Sequence, residues 1–200
     1  MDSEKLQILS GHYTHTFDFL QTHLKKRDRL FAGLLFILAI LLFQIYTPSE
    51  ASNLIAGLIE EKLEIKTKVS LLYIQSIIWF VLLAVVVKYF QSVVFIERQY
   101  SYLHSLEASL SSEYQGSAFT REGESYLNDY PAFLNWASFL YTMLFPAILA
   151  IVTTAKIVSE YKQYGNVEIL FWFNALIYAF IIISLGLYLY GIHFKSRSST

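Results

Sequence analysis

Cysteine is absent from the 200 residues. That excludes disulfides, cysteine-ligated zinc and thiol nucleophiles, and leaves the compartment open. Charge is scarce: Asp, Glu, Lys and Arg make up 16% of the chain, against roughly 25% in soluble domains. The net charge is only −1, so neither a nucleic-acid coat nor a broadly basic partner surface is indicated. Catalytic signatures are missing as well. There is no GxGD, no HExxH and no Gly-rich phosphate loop, and Glu122 and Glu124 are paired carboxylates only by sequence, with no metal site or phosphate loop accompanying them. His12 and His15 share a helical face, but a zinc site needs three or four ligands and no fixed carboxylate nearby completes one. No enzyme, metal or cofactor is expected.

What is present is apolar. Hydrophobic residues make up 55% and aromatic residues 17% of the chain. Four runs, 30–46, 69–87, 132–155 and 169–194, contain no Asp, Glu, Lys or Arg. Each is about long enough to cross a hydrocarbon layer roughly 30 Å thick. The first follows 29 residues and lacks the flanks of a cleaved signal. The expected fold is an all-α integral membrane protein. It has four transmembrane helices, an N-terminal amphipathic helix (1–29) and a helical cytoplasmic elbow (88–131). Two outer loops (47–68 and 156–168) and a short tail (195–200) complete it. Basic residues favour the cytoplasmic side. With both termini inside, ten of the fifteen Lys and Arg are cytoplasmic. The expected location is a multi-pass inner membrane protein with membrane lipid as its surroundings.

Three patterns carry functional expectations. In the first segment Leu6, Leu9, Tyr13, Phe17, Leu20 and Leu24 fall at intervals of three and four, a narrow apolar stripe on one helical face. It either rests on the bilayer or bundle, or acts as a gate or a seam between copies of the chain. Lys25, Lys26 and Arg27 follow it, suited to an anionic inner surface or a ligand. In the third run Asn135, Ser138, Thr142, Pro146, Leu149, Thr153 and Lys156 repeat with the same intervals. Polar groups are costly against lipid unless partnered. The stripe therefore faces other helices or lines a pore, with Asn135, Ser138, Thr142 and Thr153 as lining. One chain is too small to enclose such a pore, so that reading requires a homo-oligomer, with a tetramer expected. Pro146 frees a backbone carbonyl, which Thr142 or a kink would accommodate. After Val87 no Pro or Gly interrupts the chain before Gly116, so the second helix is expected to continue to about Ser111. In the elbow, Arg121, Glu122 and Tyr126 either cover helix ends or contact a ligand or partner.

Two stretches, "HLKKRDRLFAGLLF" and "FTREGESYLNDYPAFLNWASFLYTMLFP", resemble small four-helix membrane effectors of bacterial antiphage defence, the Hailong type in particular. That resemblance implies an oligomeric ion channel in the bacterial inner membrane. A nucleotide oligomer from a partner nucleotidyltransferase would hold it closed, and its opening would depolarise the cell. Control would then enter through the cytoplasmic helices and the REGE elbow. The Kiwa membrane subunit is a second resemblance. It implies instead a membrane anchor and sensor that docks a soluble cytoplasmic partner protein.

Overall fold

A computed structural model describes residues 3–51, 53–54, 57, 71–113, 133, 136, 139–164 and 168–191. Helix dominates, and no strand occurs among the described residues. Helix α1 is Ser3–Tyr46, α2 is Leu71–Glu113, α3 is Phe145–Tyr164 and α4 is Ile169–Tyr190. All four are long and apolar enough to cross a membrane, the third counted from Leu140. The architecture is compatible with a multi-pass membrane protein.

Element boundaries differ from the sequence expectation in two places. The first 29 residues do not form a separate helix, because α1 passes without a break through the basic cluster and on to Tyr46. Lys and Arg are good helix formers, so the cluster changes the environment of the helix without ending it. The second outer loop does not begin at Lys156: α3 continues to Tyr164 and carries Lys156, Glu160 and Lys162 inside the helix. The third apolar helix is therefore not free of charge.

A π-helical turn, Leu140–Leu144, leads into α3. Pro146 has no N–H to give the carbonyl of Thr142, and a local widening of the helix accommodates that missing bond.

The chain divides into two compact units. Unit 1 is Met1–Arg29 with Tyr89–Leu140, and unit 2 is Leu30–Lys88 with Tyr141–Thr200. In unit 1, Leu20, Ile96 and Leu103 form a buried core, flanked by Tyr13, Phe17, Leu24 and Tyr100. In unit 2 the core is built at helical intervals. Leu34, Leu38 and Leu41 come from α1, Trp79, Leu82 and Val86 from α2, Leu149 and Val152 from α3, and Ile177 and Ile181 from α4. Phe31 meets Tyr141 and Phe145 edge-on at 5.0 and 4.8 Å. The outward rows of unit 2 are also apolar, with Phe36, Phe80, Ile151, Ile183 and Leu187 exposed. Such exposed apolar rows are compatible with a hydrocarbon surrounding.

Candidate functional site

The densest polar chemistry lies inside unit 2. Glu160, only 1% exposed, is its centre. The Trp79 indole donates from Nε1 to Glu160 Oε1 at 3.0 Å. The Asn174 amide donates from Nδ2 to Oε2 at 2.9 Å. The Lys156 ammonium stands 3.3 Å from Oε1, one helical turn back on α3. Three helices thus place donors around one buried carboxylate. A buried carboxylate is tolerable only when paired and hydrogen-bonded. Here the ammonium supplies the charge and the indole and amide supply directed bonds. Trp79 is braced in turn by Tyr178, ring to ring at 6.2 Å, and the Tyr178 hydroxyl bonds Thr154 at 2.9 Å.

Further buried amide groups lie in unit 2. Asn174 Oδ1 and Gln75 Oε1 are buried and have no hydrogen-bond partner. Gln75 lies one turn from Trp79 on the same face of α2, and its side chain is beside the Tyr164 hydroxyl. Gln44, also buried, has neither side-chain polar atom bonded. Gln44, Gln75, Glu160 and Asn174 each lie within about two turns of a terminus of their own helix. At 1.5 Å per residue, Glu160 is about 6 Å from the end of α3 and Asn174 about 7.5 Å from the start of α4.

Unit 1 holds a second polar arrangement, aromatic in character. Tyr13 donates its hydroxyl to Glu107 Oε1 at 2.8 Å, and His12 Nε2 meets the Tyr102 hydroxyl at 2.8 Å. The His23 ring lies 4.5 Å from both Phe19 and Phe95. These contacts edge the Leu20–Ile96–Leu103 core. The stripe of Leu6, Leu9, Tyr13, Phe17, Leu20 and Leu24 carries two expectations from sequence: rest on the bilayer or bundle, or a gate or a seam between copies. Its buried centre at Leu20 packs against α2 of the same chain.

The structure divides the other sequence candidates. Thr153 has no exposed surface, and its hydroxyl donates to the carbonyls of Leu149 and Ala150 at 2.7 and 3.2 Å. Thr142 is half-buried in the π-helical turn. Lys25 and Lys26 are exposed, while Arg27 pairs with neighbouring Asp28 at 2.8 Å. Asn135, Ser138, Arg121, Glu122, Tyr126 and the side chain of Leu6 lie outside the described residues. His12 and His15 are exposed, and no metal-binding group of three His, Asp or Glu occurs among the described residues.

In sequence Lys156 both ends the polar stripe and opens the expected outer loop, and Glu160 falls inside that loop without a role. A signal was available. The stripe 142, 146, 149, 153, 156 continues to 160 at an interval of four, and a Lys–Glu pair at that interval can neutralise itself within a helix. No family model, no curated protein and no solved structure matches this chain.

Proposed function

We propose that several copies of this chain assemble, as a homotetramer, into an ion channel of the bacterial inner membrane, gated by its cytoplasmic unit. The observation that carries this reading is the continuity of α1 and α2. Each contributes residues to both units, which gives a ligand or protein bound at unit 1 a covalent path to the apolar helices. Ions would pass between copies, because the interior of unit 2 is filled by Leu34, Trp79, Leu82, Leu149 and Ile181. Of the polar stripe, Thr142 has surface left for such a lumen, whereas Thr153 belongs to the packed interior. The resemblance of the two stretches to antiphage effectors adds the physiological role, depolarisation of an infected cell. A nucleotide oligomer acting on the basic segment Lys25–Lys26–Arg27 or on Arg121 is the control that this resemblance suggests.

One observation favours a second reading, a membrane anchor and sensor that docks a soluble partner. The most polar part of the third helix is bonded within the chain, which leaves less polar surface to line a lumen. Planar-bilayer current separates the two. Full-length protein is compared with a version lacking residues 2–24. Discrete conductance that rises in the truncation is expected of a channel gated by unit 1. Silence from both proteins, with insertion verified, overturns the channel and leaves the anchor.

A further inference from the structure

We propose that the Glu160 corner of unit 2 binds a monovalent inorganic cation of sodium or potassium size, with the Lys156 ammonium seated there as a tethered competitor. The carboxylate does not depend on Lys156 for its position. Trp79 and Asn174 hold it from α2 and α4 by bonds of 3.0 and 2.9 Å. The ammonium, at 3.3 Å, is farther away than the 2.7–2.9 Å usual for a charge-assisted N–H···O bond. It supplies the counter-charge, and the two directed bonds come from other helices.

The unpartnered atoms identify the kind of ligand. Asn174 Oδ1 and Gln75 Oε1 are carbonyl oxygens buried without a donor. Asn174 spends its nitrogen on Glu160, so its oxygen stays within one amide group of the carboxylate. Leaving such oxygens bare in an apolar interior is unfavourable. Hard cations take oxygen ligands. One carboxylate with neutral amide oxygens balances one positive charge, which favours a monovalent ion over magnesium or calcium. Glu160 lies about a turn from the end of α3. A water molecule would satisfy the same amide oxygens, but it would not respond to the identity of the salt.

The site does not depend on conduction, and its test needs no current. Full-length Lys156→Met protein in lipid nanodiscs is melted in sodium, potassium or N-methylglucamine chloride at equal ionic strength. Removing the tether leaves the carboxylate without its cation. A small inorganic cation is then expected to raise the melting temperature by roughly 3–6 °C at a tenfold excess over its Kd. The double variant Lys156→Met with Glu160→Gln is expected not to respond. Identical melting of Lys156→Met in the three salts overturns the proposal and assigns the corner to water. If Lys156→Met cannot be recovered folded in any salt, binding of radiolabelled sodium and rubidium to the wild-type protein decides. Saturable binding that Glu160→Gln abolishes supports the site, and no saturable binding overturns it.

Discussion

One helix, α2, lives in two surroundings. In its first half the exposed residues include Tyr73, Ile77, Phe80 and Val81, with Lys88 near the end of unit 2; in its second half they include Glu97, Arg98, Ser101, Tyr102, Ser105 and Ser109. Helix α1 runs the other way, from exposed Asp18, Gln21, Lys25 and Lys26 to exposed Leu35, Phe36, Leu42 and Phe43. The buried faces differ less: Leu20, Ile96 and Leu103 in unit 1 correspond to Leu34, Leu38 and Leu82 in unit 2. The solvent therefore selects the outside, while both units need apolar packing inside. The consequence for polar groups is opposite in the two units. In unit 1 charge can go outward. In unit 2 Lys156, Glu160 and Asn174 turn inward and bond one another, the arrangement that a hydrocarbon surrounding would require.

The largest effect should come from breaking that inward arrangement. Glu160→Leu leaves the Lys156 ammonium buried without its counter-charge, an expected loss of about 3–5 kcal/mol. Adding Lys156→Met should recover much of it, because a paired charge replaced by apolar volume is often neutral. Unfolding of both variants in mixed micelles measures this, and a double variant as unstable as Glu160→Leu alone would sink the idea that pairing is what matters.

Next in size is an exchange of surroundings on α2. Phe80→Asp puts a carboxylate on an apolar outer face and is expected to oppose insertion by about 3 kcal/mol. Arg98→Leu, on the polar half, should change stability by only about 0.5 kcal/mol. A glycosylation-based insertion assay for the first and thermal melting for the second check the asymmetry. Equal tolerance at both positions would erase the contrast between the two halves. The smallest effect belongs to the aromatic edge of unit 1. Tyr13→Phe removes the donor to Glu107 and should reduce stability by about 1 kcal/mol, read by hydrogen exchange in α1 without a change in the melting of unit 2.

Much of this was legible in the chain. The apolar runs and the spacing of Leu20 and Leu24 mark helices and their inner faces, since these depend on neighbours three and four residues away. Gln75, Asn174 and Thr153 stand out in sequence as polar residues inside apolar runs. The hub itself was not legible. A search for uncharged segments ends the third run at Ala155, because an isolated charge in hydrocarbon is expensive. That rule holds only for an unpaired charge, and the pairing reaches across the fold.

The sequence by itself determined an all-α chain with four helices fit for a membrane, because hydrophobic period and run length are local properties. Only the tertiary structure decided where α3 ends and what Glu160 does. Its partners Trp79 and Asn174 lie 81 and 14 residues away in the chain, and a buried carboxylate becomes stable only when groups so distant in sequence are folded within bonding distance of it.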